Sequence, residues 1–349
     1  MNPTVRIGNK VLGQNDYCYV IAEAGANHNR DKGIAFKLID VAAEAGADAV
    51  KFQTYSAETL YSKKTPRFKY LEKVSHKETW ELIKEIELPR EWQAELAEYA
   101  RTRGIDFLST PFDYAAVDEL DALGVPAFKI ASFELVDLPL IQYAAAKGRP
   151  MILSTGMATY GEIEEALAAC REVGNGNVIL LQCASLYPAP AHLANLRAMV
   201  TMRRAFGVPT GFSDHTEGVA VATAAAALGA VVIEKHFTLD RRLPGPDHPF
   251  ALEPDELRAM VSAIRQVEKA LGHGRKEGPA PEEAEMHRLA RRSLVAARDL
   301  PAGTVLTREM LTVKRPGYGI PPRDISKVVG RRLAVNVEAD EVLEWSMFQ

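Results

Sequence analysis

The sequence predicts an α/β protein: a closed (β/α)8 TIM barrel followed by a small C-terminal domain. Three observations predict it. Eight short apolar runs alternate with stretches of helical composition, and eight β/α units in about 250 residues is the pattern of a parallel barrel. Most of the helical stretches stop at a glycine, as at Gly46, Gly104, Gly124, Gly148, Gly207 and Gly229, a common helix stop signal. After Gly272 the alternation ends and short strand-like pieces with turns replace it. An open doubly wound sheet is the alternative, but no G-x-G-x-x-G follows the first strand, so a dinucleotide fold has little support.

Tyr17 to Gly25 reads as the first strand, broken by Glu23. Asp31 to Ala45 is a helix. Ala49 to Tyr55 is the second strand. Ser56 to Glu87 is a long connection carrying Lys63, Lys64, Arg67 and Lys69, and loops of that length are usually functional or mobile. Pro89 to Arg103 is a helix, Ile105 to Asp113 a strand, Tyr114 to Leu123 a helix. Ala127 to Glu134 is the fourth strand, Leu138 to Lys147 a helix, Pro150 to Met157 the fifth strand, Gly161 to Val173 a helix. Val178 to Ser185 is the sixth strand and Leu193 to Phe206 a helix. The seventh strand ends in Ser213, Asp214 and His215; a helix over Glu217 to Gly229 follows. The eighth, Val231 to Ile233, ends in Glu234, Lys235 and His236. Glu253 to Leu271 places Leu257, Met260, Val261, Ile264 and Val267 at helical spacing.

Residues 1–272 therefore form the barrel. His273 to Glu285 is rich in Gly, Pro and Glu, and 273–289 reads as a linker. Residues 290–349 form a second domain with strand-like pieces at S-L-V-A-A, V-L-T, L-T-V and L-A-V-N-V.

A chain of 349 residues with 47% hydrophobic and 25% charged residues can bury a full core. Its net charge of −4 gives no pull toward nucleic acid or acidic membranes. Three cysteines without a C-x-x-C point to a reducing, cytoplasmic setting rather than a disulfide framework. No apolar run reaches the ~18 residues of a membrane span, and Met1 to Asn9 lacks a signal-peptide core.

In a barrel the site forms at the C-terminal ends of the strands, where this chain carries its polar groups. His215 and His236 leave adjacent parallel strands on the same edge, beside Asp214 and Glu234. Two neutral imidazoles with oxygen ligands suit a divalent metal; the plainer reading is two buried, hydrogen-bonded histidines. Lys51 and Lys129 sit inside apolar strands. Barrel strands are buried on both sides and an unpaired ammonium there is costly, so an anionic ligand is expected, against lysines that snorkel outward or form a Schiff base. Ser132, Ser154, Ser185 and Ser213 join them as a cradle for a phosphorylated acid. Glu23 and Glu134 read equally as acid/base groups, sugar-hydroxyl acceptors or salt-bridge partners of the lysines. Asp247 alone reads as a turn residue, Cys183 as a core residue, Arg315 as a solvated turn arginine. His28-Asn29-Arg30 has no reading from spacing.

The motifs I-A-E-A-G-A-N-H-N (21–29), A-G-A-D-A-V-K-F-Q-T (45–54), L-S-T-P-F-D (108–113), F-K-I-A-S-F-E (128–134), I-L-S-T-G-M (152–157), Q-C-A-S-L-Y-P-A-P (182–190), G-F-S-D-H-T (211–216), I-E-K-H-F-T-L-D (233–240), L-P-G-P-D-H (243–248) and V-K-R-P-G (313–317) strongly resemble those of the sialic acid synthase family. That family includes legionaminate and pseudaminate synthases and spore-coat polysaccharide relatives. The resemblance spans nearly the whole chain. It implies a barrel followed by an antifreeze-like SAF domain, and condensation of phosphoenolpyruvate with N-acetylmannosamine or a related N-acylated hexosamine, such as a diacetamido hexose, with water addition and phosphate release. It implies Glu23, Glu134, His215 and His236 as catalytic residues, with His215 and His236 holding Mn (Mg or Co as alternatives). Lys51, Lys129, Ser132, Ser154, Ser185 and Ser213 would hold phosphoenolpyruvate, and Gln53, Tyr187, Asp247 and Arg315 the sugar. It further implies a domain-swapped homodimer in which Arg315 reaches the partner's sugar site. Phe133 stands where many sialic acid synthases have Gly, and Leu186 where Asn or Ala is frequent. A Schiff-base aldolase and a non-catalytic carbohydrate-binding module are the competing functions.

Overall fold

The computed structural model describes residues 4–13, 17–68 and 76–349. They divide into two compact units, Met1–Gly272 and His273–Gln349. Lys69, expected in the long basic connection, lies outside the described residues.

The first unit opens with an antiparallel hairpin, β1 (Val5–Ile7) and β2 (Lys10–Leu12). The alternating chain follows: β3 (Tyr19–Gly25), α1 (Lys32–Glu44), β4 (Ala49–Thr54), α2 (Ala57–Leu60), α3 (Thr79–Ile86), α4 (Gln93–Thr102), β5 (Asp106–Pro111), α5 (Tyr114–Leu123), β6 (Phe128–Ile130), α6 (Leu138–Ala145), β7 (Met151–Ser154), α7 (Tyr160–Glu172), β8 (Val178–Cys183), α8 (Leu196–Phe206), β9 (Thr210–Asp214), α9 (Ala220–Ala227), β10 (Val232–His236) and α10 (Pro254–Leu271). The eight strands β3 to β10 form one parallel sheet in the order β5-β4-β3-β10-β9-β8-β7-β6, and β5 lies alongside β6 to close the ring. The expected barrel is therefore present.

Strand parity sorts the side chains into two layers. Val20, Ala22, Val50, Phe52, Phe107, Phe128, Leu153, Leu180, Phe212 and Ile233 face the helices and build the larger core. Tyr19, Ile21, Ala49, Leu108, Ala127, Ile152, Ile179 and Val232 fill the barrel interior, where Val5, Ile7 and Leu12 of the hairpin close the floor. The hairpin escapes the periodicity reading because its strands are three residues long.

Aspartates at the strand exits start several helices. Asp31 accepts from the Ile34 N–H at 3.0 Å, Asp113 from Ala116 at 2.7 Å and Asp137 from Leu140 at 3.1 Å, each satisfying an orphan donor of the first turn. Thr159 and Glu162 close a capping box on α7.

Two expectations change. The connection over Ser56 to Glu87 is not a bare loop: it carries α2 and α3, whose Leu82 and Ile86 are buried. The fourth strand ends at Ile130, and Ser132–Glu134 turns as a 3-10 helix, which brings Ser132 and Glu134 round to the barrel mouth.

In the second unit, α11 (Ala284–Ala290) occupies part of the stretch expected as a linker. The strands β11 (Ser293–Ala296) and β12 (Leu311–Lys314) pair antiparallel, and α12 (Ile325–Val328) follows. The pieces expected at V-L-T and L-A-V-N-V make only isolated bridges. Leu294, Leu300, Leu306, Leu333, Val337 and Leu343 form this unit's own core.

Candidate active site

The upper interior of the barrel is charged. Glu23 on β3, Lys51 and Gln53 on β4, Thr110 on β5, Lys129 on β6, Ser154 on β7, Cys183 on β8, Ser213 on β9, and Glu234 and His236 on β10 all have inward parity, and all line an inner chamber of about 50 Å³. Registers fix who meets whom: Glu23 lies opposite Lys51 and His236, and Ser213 lies opposite Cys183 and Glu234.

Lys51 Nζ lies 2.8 Å from Glu23 Oε2 and 3.7 Å from Glu234 Oε2, and it donates to Thr110 Oγ1 at 3.0 Å. Lys129 Nζ lies 3.3 Å from Glu234 Oε1, which also accepts from Ser213 Oγ at 3.0 Å. Gln53 Nε2 donates to Glu23 Oε1 at 2.8 Å. This corrects the expectation that the lysines need a ligand anion for company: protein carboxylates already face both. Of the readings of Glu23, the ion-pair partner is realised with Lys51. Glu134 lies within ion-pair distance of neither lysine. Glu234 is the hub of the cluster and the residue that sequence reading undervalued.

Parity also corrects the idea that every strand-end polar group converges on the mouth. Asp214 and Lys235 point to the helix side and pair with each other at 2.8 Å. Ser109 likewise contacts Thr54, which turns to Gln93 of α4.

The carboxyls are set apart by their surroundings. Burial pushes Glu23 up to about 7, against the pull of Lys51. Burial alone would raise Glu234 too, but Lys129 and Lys51 overcome it and hold it at about 2. Glu134 is pushed up to about 7 and Asp247 to about 6, both by burial. Burial lowers Lys129; for Lys51 the same penalty is outweighed by Glu23 and Glu234, and its value rises.

Several buried polar atoms here lack a hydrogen-bond partner: Ser154 Oγ, Ser185 Oγ, Glu134 Oε2 and His236 Nδ1. Each such atom costs about 1–3 kcal/mol, so a site that leaves several together is built for something that completes them. Ser132 Oγ accepts from the Gly156 N–H at 3.0 Å. A Cβ on Gly156 would sit 2.2 Å from Ser185 Oγ and 2.8 Å from Ser132 Oγ, so only glycine lets these two hydroxyls crowd the same backbone.

The rings of His215 and His236 lie 5.6 Å apart. His215 Nδ1 is 2.8 Å from the Ala184 carbonyl; donation there leaves Nε2 as the lone-pair nitrogen. Burial, reinforced by His215, holds His236 well below the usual histidine range, so it is neutral, as a ligand must be. Among the described residues no three His, Cys, Asp or Glu side chains form a ready-made metal cluster. The donor set fits a cation bound by two imidazoles with its other positions left to oxygens of substrate or water.

Above the chamber lies an outer cleft of about 140 Å³, lined in part by Gln53, Tyr187, His236 and Asp247. Tyr187 packs 4.3 Å from the His215 ring. Gly25 (φ +51°) sits where Asp247, Glu23 and His236 approach within 3.1–3.4 Å of its absent Cβ. The Asp247 loop is pinned by a chain the sequence left uninterpreted: His248 Nε2 lies 3.1 Å from Asn29 Oδ1 and its Nδ1 2.6 Å from Thr238 Oγ1. His28 lies in the same turn, its Nδ1 accepting from the Arg30 N–H. The structure thus gathers every expected site residue of the first unit at one mouth. Arg315 belongs to the second unit, exposed on the segment after β12.

The chain resembles known proteins over nearly its whole length. The NeuB family model matches residues 38–276 and the SAF domain model residues 291–349. The N,N'-diacetyllegionaminic acid synthase of Legionella pneumophila is 42% identical over 344 residues, 97% of this chain and 96% of its own. The N-acetylneuraminate-9-phosphate synthase of Homo sapiens is 38% identical, covering 96% of this chain and 94% of its own. The crystal structure of an N-acetylneuraminic acid synthetase from Leptospira borgpetersenii, in complex with citrate, aligns with a TM-score of 0.72 at 37% identity, over 82% of this chain and 95% of that one.

Proposed function

The chain belongs to the NeuB family, and from that premise we propose that it is a synthase joining phosphoenolpyruvate to an N-acylated hexosamine to give a 2-keto sugar acid and phosphate. The observation that carries this reading is the inner chamber, where Lys51, Lys129 and the unpartnered Ser154 hydroxyl share one space with His215 and His236. Phosphate and carboxylate oxygens of phosphoenolpyruvate would complete Ser154, Ser185 and Lys129. In a site of low dielectric such charge-assisted hydrogen bonds are worth far more than in water.

His215 and His236 would hold a divalent cation, Mn first and Mg or Co as alternatives, which when bound polarises the open-chain aldehyde of the acceptor. The protein's own groups do the rest. Gln53, Tyr187 and Asp247 orient the sugar so that its aldehyde carbon faces C3 of phosphoenolpyruvate. The C3–C1 bond forms and positive charge develops at C2. Glu23, poised near neutrality, takes a proton from the water that adds at C2, and Lys51 at 2.8 Å steadies the carboxylate before that transfer. Glu134, also near neutrality, supplies a proton to the new alkoxide. The C2 adduct then expels phosphate. Ser132 and Ser213, already bonded to Gly156 and Glu234, would shape the cradle. Arg315 is proposed to reach the sugar site of a partner subunit in a domain-swapped dimer.

One feature favours a second reading. Lys129 is held below the ordinary lysine range by burial, as a Schiff-base lysine would be. Phosphate release from phosphoenolpyruvate, measured with Mn and an N-acylated hexosamine, separates the two. The synthase gives one phosphate per nine-carbon product and no adduct on borohydride treatment with pyruvate. A covalent pyruvyl-lysine would establish the aldolase instead, and a protein inert toward phosphoenolpyruvate would be a binding module.

A further inference from the structure

The two histidines of the mouth are linked through the far side of the sheet. The residue before each, Asp214 on β9 and Lys235 on β10, lies directly across from the other in the parallel register. Both side chains are buried. Lys235 Nζ donates to Asp214 Oδ2 at 2.8 Å and to the Thr216 carbonyl at 2.5 Å. Asp214 Oδ1 accepts from the Thr216 N–H at 2.8 Å. One ammonium, carried by the residue before His236, therefore holds the chain on both sides of His215. The preceding rung is tied on the opposite face, where Ser213 Oγ donates to Glu234 Oε1 at 3.0 Å.

A buried ion pair is a weak source of stability, because desolvating two charges offsets their attraction. The positions around it on the same face are apolar: Phe212 and Ile233 precede the pair and Phe237 follows it. A pair of charges in such a layer calls for a reason beyond the fold, and the histidines supply one. The His215 ring has its own anchor, with Nδ1 2.8 Å from the Ala184 carbonyl. His236 lacks one of this kind: among the described residues its Nδ1 makes no hydrogen bond, and Asp247 Oδ2 stands 3.7 Å away. The placement of the second ring against the first then rests on the backbone that carries it. Resting on the reading of His215 and His236 as holders of a divalent cation, we infer that Asp214 and Lys235 are positioning residues. Without touching metal or substrate, they set the separation of the two imidazoles, 5.6 Å between ring centres, from the helix side of the barrel.

The test measures Mn binding to the metal-stripped full chain, from the EPR signal of the free ion. Four proteins are compared: wild type, His215→Asn, the double variant Asp214→Asn with Lys235→Met, and Asp214→Glu. The double variant keeps an acceptor for the Thr216 N–H and buries no unpaired charge, but it cuts the link between the strands. Asp214→Glu keeps the charge pair and lengthens it by a methylene. Wild type should bind Mn and His215→Asn should not. Groups behind a metal ligand carry about 10- to 100-fold in affinity, so the double variant should bind that much more weakly and Asp214→Glu about 10-fold more weakly. Half-saturating Mn for phosphate release should rise in step in the double variant. Lys129 and Ser154 lie on other strands, so KM for phosphoenolpyruvate at saturating Mn should stay within about threefold of wild type. A double variant that binds Mn as tightly as wild type overturns the inference and leaves the metal site standing, the pair then serving the fold alone. If the double variant does not fold, wild-type affinity in Asp214→Glu overturns it likewise. A wild type that binds no Mn, or a His215→Asn protein that binds it undiminished, removes the metal reading and the positioning role with it.

Discussion

The same eight strands end in two unlike chambers. At the floor, inward side chains are Tyr19, Ile21, Ala49, Leu108, Ile152, Ile179 and Val232, packed against the N-terminal hairpin. The carboxylates at the rim there are used: Asp106 accepts from Tyr19 Oη at 2.6 Å, and Asp48 accepts from the Val20 N–H and from Arg265 Nη2, each at 2.7 Å, and pairs with Lys10 and Tyr17. At the mouth, two or more positions further along each strand, the interior holds four carboxyls, two lysines and two histidines, several with unfilled valences. A polar group that is completely partnered serves the fold; a cluster left incomplete serves a ligand. The native state carries that cost only because the floor and outer core stabilise the barrel independently.

The sharpest way to break this contrast is at its hub. Among the described residues, Glu234→Ala removes the one carboxylate within ion-pair distance of Lys129 and one of the two beside Lys51. Activity should fall by at least 10³-fold, measured as phosphate release, and stability by about 3–5 kcal/mol in urea, because an unpaired charge stays buried. Gly156→Ala should come next. The new methyl would collide with Ser185 and Ser132, and kcat/KM should drop on the order of 10²-fold, a loss of about 3 kcal/mol in transition-state binding, with Tm little changed.

The floor gives the mirror result. Asp48→Asn keeps the shape but removes the charge facing Arg265 and Lys10. Both cations are partly exposed, so the cost should be about 1–2 kcal/mol in urea, with kcat within twofold of wild type. A loss of activity without a loss of stability there would dissolve the distinction between the two ends.

The smallest effect is a pH dependence. Glu134 in the folded chain titrates near 7 rather than 4.5 because of burial. Its protonated form is the better tolerated, so the folded state loses stability as pH rises from about 4.5 to 7, and the loss is complete above that. The gap caps the effect at about 3 kcal/mol, and partial exposure of the side chain reduces it to about 1–2. Glu134→Gln should therefore be more stable than wild type at pH 8 and equal to it near pH 4, by thermal denaturation at both pH values. A variant less stable at pH 8 would place Glu134 in a compensated ion pair.

Much of this division could be read in the sequence. Eight apolar runs with polar exits sufficed for the barrel and its mouth, because barrel strands are buried on both faces and a charge inside one is conspicuous. What the linear reading under-used was parity. In I-E-K-H the glutamate and second histidine share a face and the lysine takes the other, which marks Glu234 for the site and Lys235 with Asp214 for the helix layer. Pairing across strands was not legible: Lys51 with Glu23 depends on register, and register is set by the whole ring. The N-terminal hairpin and the helices α2 and α3 are too short for periodicity to betray them. The role of Asn29 and His248 in holding the Asp247 loop required two segments 219 positions apart to meet.

On the proposed function, the incomplete mouth and not the complete floor is the ligand seat. The direct measurement is the thermal shift produced by saturating Mn and phosphoenolpyruvate on wild type, Ser154→Ala with Lys129→Met, and Asp48→Asn. A ligand at 100 times its Kd adds about 2.7 kcal/mol, a rise of several degrees. That rise is expected in wild type and in the floor variant, and it should disappear in the mouth variant. An undiminished shift in the mouth variant would contradict it.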